Sequence, residues 1–203
     1  MLISHTHGRG KKIHLLIDNE YQITTNEDFW AAHFIKDGTE IDEEQWQELV
    51  SLINCNKAVN KCYDLLSRRD HSVRELKTKL LRTVDEASAD FAIEKMLELG
   101  YLDDEAYAKK LLIYLTENKK MSGAFIKQEM FKRGIPSSII SNLLEDVELD
   151  NVSNIIDLLN TKYRNKLNAE NGREKVTASL MRKGFSYGDI KSAFSELENE
   201  LYD

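Results

Sequence analysis

Arg82, Lys132 and Arg182 stand 50 residues apart. Evenly spaced positive charge suits recognition of a periodic polyanion, or of a protein surface that repeats, rather than bond making. Basic residues gather around these three. The doublets are Arg68-Arg69, Lys119-Lys120, Lys132-Arg133 and Arg182-Lys183, and Lys77, Lys127 and Lys175 lie on the same stretches. Together they are the candidate partner- or DNA-binding residues. For any single one of them, a solvated helix face balancing neighbouring acids is the competing reading; recurrence singles out Arg82, Lys132 and Arg182.

No catalytic constellation accompanies them. The Gly8–Lys12 stretch GRGKK has neither the spacing nor the Ser/Thr of a phosphate-cradling loop. No pair of histidines brackets a Glu at i, i+4. The clusters Asp42-Glu43-Glu44 and Asp103-Asp104-Glu105 fall where helices should begin, where carboxylates answer unpaired amides and the helix dipole. His5 and His7 supply only two metal ligands, on an N-terminus expected to be loose. Cys55 and Cys62 sit on one predicted helix, about 10.5 Å apart in rise, too far for a disulfide, and read as packing residues. The expectation is a binding or regulatory protein that needs no cofactor and no metal.

The elements that must carry these cations follow from the composition. One Pro and 9 Gly in 203 residues leave little punctuation, which favours long helices. No apolar run reaches the length of a membrane span, and MLISHTHGRGKK has no signal-peptide core, so a cytoplasmic location is expected. The net charge of −7 argues against a protein that coats DNA. That mean conceals an alternation. Residues 57–82, 109–133 and 162–183 are each +5, and 85–106, 145–157 and 189–203 are −7, −5 and −4.

The alternation keeps time with a repeated phrase, "MFKRGI" at 130–135 and "LMRKGF" at 180–185. Shifted by 50, Leu76, Ile126 and Val176 coincide, as do Leu80, Met130 and Leu180, and Leu81, Phe131 and Met181. Positions i, i+4 and i+5 predict one apolar stripe per helix. Gly134 and Gly184 fit the left-handed residue that ends a helix; Val84 stands there in the first copy, so that helix should end differently. A second apolar helix follows each time, carried by Phe91, Ile93, Met96, Leu97 and Leu99, then by Ile139, Ile140, Leu143, Leu144 and Val147, then by Ile190, Ala193, Phe194 and Leu197. Opening helices are predicted near 43–66, 105–117 and 154–167. Three helices in 45–50 residues bury little alone, so the units should stack, with equivalent cations along one edge. Capping pairs support the boundaries: Ser72 with Glu75 and Asp42 with Gln45, while Gly100 and Asp103 end one helix and begin the next.

The fold class expected is mainly α, an elongated tandem array of three three-helix repeats (42–102, 103–150 and 151–203). A small N-terminal extension, 1–41, precedes it. There "KIHLLIDNEYQITT" predicts a β-hairpin turning at Asp18-Asn19, with Ile13, Leu15 and Ile17 on one arm and Tyr21 and Ile23 on the other. The hairpin should pack on a short helix at 27–35 through Phe29, Trp30 and Phe34.

The wording of four stretches, "LLSRRDHSVRELKTKL" (65–80), "LELGYLDDEAYAKKL" (97–111), "SGAFIKQEMFKRGI" (122–135) and "SLMRKGFSYGDI" (179–190), resembles the RecX family of bacterial recombination regulators. The resemblance covers about 58–197 in order and spacing. Val84 stands where the family usually has Gly, and Tyr107 where it usually has Phe. It implies a monomeric protein that binds the RecA recombinase, chiefly as its filament on single-stranded DNA. Such a protein mostly lowers recombinase, ATPase and co-protease activity, restraining DNA repair and the SOS response. An autonomous DNA-binding helical module is the alternative, with weak direct DNA contact possible alongside RecA. A helical scaffold for another partner is the third reading.

Overall fold

The structure, a computed structural model, describes residues 1–145, 147 and 149–200; the end of the acidic tail, 201–203, lies outside the described residues. It is mostly helical, with a small antiparallel sheet at the N-terminus. The chain divides into two compact units, Met1–Leu102 and Asp103–Asp203.

In the first unit four strands, β1 (Leu2–His7), β2 (Lys12–Ile17), β3 (Glu20–Asn26) and β4 (Thr39–Glu40), lie in the order β3-β2-β1-β4. Asp18 and Asn19 both have positive φ, 51° and 67°, as the tight hairpin turn demands. The expected loose N-terminus is instead an inner strand. Period-two alternation puts Ile3 of β1 beside Ile13, Leu15 and Ile17 of β2 on one buried face. His5 of that strand is tied to Asp37 at 2.6 Å. A bulge between Leu15 and Leu16 breaks the pairing with β3, and Tyr21 is exposed rather than part of that face. The helix α1 (Glu27–Ala32) covers the sheet with Phe29 and Trp30; Phe34 lies beyond its end and is exposed.

The long helix α2 (Glu43–Leu66) serves two cores. Its first half packs Trp46, Leu49 and Ile53 on the sheet. Its second half packs Ala58, Val59 and Cys62 against Leu76 and Leu80 of α3 (Val73–Leu80) and Ala89, Ala92, Ile93 and Met96 of α4 (Glu86–Glu98). Both cysteines are free, as their spacing requires. Asp42 and Gln45 close a capping box on α2, and the Ser72 hydroxyl accepts from the Glu75 amide at 3.1 Å.

The second unit repeats the plan twice. The helices α5 (Asp104–Ile113), α6 (Gly123–Lys132) and α7 (Ser137–Glu145) enclose one core. Helix α5 is extended by a π-helical turn at Tyr114–Asn118. The helices α8 (Asn151–Asn160), α9 (Arg164–Leu167), α10 (Gly172–Arg182) and α11 (Tyr187–Glu200) enclose the other. The third opening helix is thus broken, not continuous to Leu167 as expected. The break lowers Tyr163 into the core, where its hydroxyl meets Ser179 at 2.8 Å.

Gly134 and Gly184 end α6 and α10 at φ 79° and 87°. At the end of α3 the amides of Thr83 and Val84 both turn back onto the Leu80 carbonyl, so no left-handed residue is used. Positions 76, 126 and 176 and positions 80, 130 and 180 are all buried. The third set of the expected stripe is not: Leu81, Phe131 and Met181 are 45%, 58% and 53% exposed. One step along a helix is a rotation of about 100°, which carries these residues out of the arc that their neighbours cover. The same geometry leaves Phe91, Leu97 and Leu99 exposed, because α4 faces its core with 89, 92, 93 and 96.

Candidate partner-binding surface

The candidate cations separate into two groups. Arg82, Lys127, Lys132 and Arg182 are exposed and have no ion pair or hydrogen bond among the described residues. Arg82, Lys132 and Arg182 each follow one of the exposed apolar residues Leu81, Phe131 and Met181 and lie at or just past the C-terminal end of α3, α6 or α10. A cation is favoured there by the helix dipole. Each repeat therefore presents the same couple, an apolar side chain and an unpaired cation. Lys119 is also exposed, with its ammonium 5.2 Å from the Tyr114 ring centre.

The remaining candidates are held by the protein itself. Arg68 pairs with Asp64 at 2.8 Å. Arg69 grips Glu75 through both nitrogens, at 2.5 and 2.9 Å. Lys77 meets Asp90 at 2.5 Å and Glu86 at 3.4 Å, bridging α3 and α4. Arg133 pairs with Glu129 at 2.9 Å, Lys120 with Asp157 at 3.4 Å, and Lys175 donates to the Glu170 carbonyl at 3.1 Å.

Lys183 joins the second and third repeats. Its ammonium donates to the Lys119 carbonyl, and its own carbonyl accepts from the Ser122 amide at 3.2 Å. Burial pushes its pKa down, and Lys162 and Lys119 add repulsion. Lys120 is left-handed at φ 48°, which turns the chain sharply after the π-helical turn. Lys162 belongs to this cationic knot, yet nothing in its local sequence marks it.

Around α3 a compact polar network forms. His71 is buried, with Nδ1 2.9 Å from the Arg69 carbonyl and Nε2 2.7 Å from the Lys79 ammonium. The imidazole therefore donates at Nδ1, accepts at Nε2 and is neutral; burial lowers its pKa. Burial opposes ionisation of Glu75, but the bidentate Arg69, with Lys79 beside it, holds its pKa at about 2. Among the described residues no group of His, Cys, Asp and Glu could hold a metal ion, and no helix is long and apolar enough to cross a membrane.

Residues 58–96, within the first repeat, match the family model described as the first three-helix domain of RecX. A regulatory protein RecX of Caldanaerobacter subterraneus is 30% identical over 96% of this chain and 99% of its own length. A second, from Clostridioides difficile, is 26% identical over 95% and 92%. Two solved structures share the fold: a regulatory protein RecX at TM-score 0.57 and 20% identity, over 96% of this chain and 98% of that one, and RecX from Lactobacillus salivarius at 0.56 and 24%, over 71% and 97%. With three repeats built alike, and one relative matched at that identity almost from end to end, the chain belongs to the RecX family of regulatory proteins.

Proposed function

We propose that this chain is a non-catalytic regulator that binds RecA, chiefly as its filament on single-stranded DNA, and lowers recombinase, ATPase and co-protease activity. By doing so it restrains DNA repair and the SOS response. The observation that carries the reading is the couple of exposed apolar residue and unpaired cation at the same place in all three repeats: Leu81 with Arg82, Phe131 with Lys132, Met181 with Arg182. A filament offers one surface at regular intervals. Three modest contacts on one chain, taken as units 42–102, 103–150 and 151–203 with 1–41 as an extension, then act at high effective concentration. The test is the charge reversal of Arg82, Lys132 and Arg182 to Glu. Inhibition of RecA-catalysed ATP hydrolysis and strand exchange should be lost while helical circular dichroism is kept. Undiminished inhibition by that triple variant removes the assignment.

One observation favours a second reading, direct contact with DNA: Lys162 and Lys119 are close enough to Lys183 to add repulsion to the burial that lowers its pKa. Fluorescence anisotropy on single- and double-stranded oligonucleotides at two salt concentrations decides. Tight RecA-independent binding with a steep salt slope supports it; none at low salt ends it.

A further inference from the structure

Helices α6 and α7 of the middle repeat enclose a groove of about 480 Å³, lined by Lys127, Phe131, Ser137, Ile140 and Ser141 among others. Its floor is the buried Ile140, its wall the exposed Phe131. The first repeat shows what a lysine at this place does. Lys77 of α3 corresponds to Lys127 of α6. Matching the buried Ala89 of α4 to Ile140 of α7 sets Glu86 and Asp90 against Ser137 and Ser141. In the first repeat Lys77 spans the two helices to both carboxylates, at 3.4 and 2.5 Å. In the middle repeat both carboxylates are serines, and Lys127 has no partner among the described residues. In the third repeat the lysine itself is replaced, by Thr177.

We propose that this groove binds a short segment of a protein partner that carries a carboxylate beside a large apolar side chain. The carboxylate takes at Lys127 the place that Asp90 and Glu86 hold at Lys77, and the apolar side chain lies on Phe131 and Ile140. Charge complementarity selects the occupant: an unpaired ammonium over an apolar floor, at a position that pairs with carboxylates elsewhere in the same chain. A nucleic acid fits less well. Nucleic-acid affinity comes from several cations along the phosphates, and Lys127 is the one cation among the described residues that line this groove. The inference rests on the RecA reading for the partner's identity; the chemistry of the segment comes from the groove.

Ser141→Asp tests it, because an Asp there restores in cis the pair seen at Lys77 and closes the site. Ser192→Asp, which adds the same charge at an exposed position of α11 outside the groove, is the control, and Lys127→Ala removes the same contact without adding charge. The first readout uses the protein alone: the fluorescence of 8-anilinonaphthalene-1-sulfonate, an anion on an apolar ring. Ser141→Asp and Lys127→Ala should lower it, and Ser192→Asp should not. The second readout is RecA-catalysed ATP hydrolysis. There both variants should raise the half-inhibiting concentration about tenfold, the effect of one lost charge-assisted contact. Wild-type behaviour of Ser141→Asp and Lys127→Ala in both assays overturns the proposal. Displacement of the dye by oligo(dT) but not by RecA overturns the protein occupant. If the wild-type protein leaves RecA unaffected, the proposed function fails, and the dye assay still reads the groove.

Discussion

Arg133 donates to the phenol oxygen of Tyr107 at 3.0 Å while pairing with Glu129 at 2.9 Å, so one guanidinium joins the opening helix of the middle repeat to its basic helix. Tyr107 is itself buried, and its hydroxyl reaches the half-buried end of α6. Lys132, the next residue back along the helix, is exposed and unpaired. Neighbours in the sequence thus have separate duties: Arg133 holds the repeat together, and Lys132 faces outward. Replacing Tyr107 by Phe removes one hydrogen bond to a charged donor. It should lower stability by about 1–2 kcal/mol, measured by urea unfolding, and leave RecA inhibition unchanged.

Adjacent positions on the basic helices should respond in opposite ways. Leu80→Ala or Leu180→Ala opens a cavity in a fully buried site and should cost about 2–5 kcal/mol. Leu81→Ser or Met181→Ser acts on a half-exposed side chain. It should change stability by about 0.5 kcal/mol or less while weakening partner binding, read by surface-immobilised RecA filaments.

Acidification should loosen the first repeat in a defined window. The carboxyl of Glu75, held at about 2 against an ordinary 4.5, contributes stability that is complete above pH 4.5 and lost as pH falls towards 2. His71, buried neutral with its pKa lowered from 6.5, acts in the same direction below pH 6.5. Unfolding midpoints measured from pH 7 to pH 2 should fall through both ranges. Glu75→Gln should flatten the dependence below pH 4.5.

A Cβ at Gly184 would lie 2.6 Å from Phe125 Cβ and from Ser122 Oγ, on a backbone at φ 87°. Gly184→Ala should therefore cost more than about 1 kcal/mol. Because Ser122 and Lys183 meet there, the second and third repeats should lose cooperativity, visible as two transitions in thermal unfolding.

Removing residues 1–41 should not leave a clean three-repeat protein. Trp46, Leu49 and Ile53 of α2 are buried against the sheet and would be uncovered. The truncated chain should bind hydrophobic dyes and aggregate more readily than the full chain, unless those three residues are replaced by polar ones.

Much of this was legible in the chain of letters. Helical period, a 50-residue interval and local caps are short-range properties. Backbone amides at a helix start need a partner within three residues, so Asp42, Ser72 and Asp103 announce themselves. The two core positions of each basic helix were readable for the same reason, and so was the Asp18-Asn19 turn. Where local pattern misled, a neighbour decided. The N-terminal strand forms because β2 supplies its hydrogen-bonding partners, and Leu81, Phe131 and Met181 are exposed because they are rotated away from the buried stripe of their own helix. The candidate site shows the division most clearly. Sequence identified the cations, but which of them are free depends on carboxylates brought near by folding: Asp90, 13 residues from Lys77, and Asp157, 37 residues from Lys120. Local order in the chain determined the repeats, their caps and their charge rhythm. Only the tertiary structure decided which charges were neutralised and which groove stayed open, because pairing depends on distance in space and residues far apart in sequence set that distance.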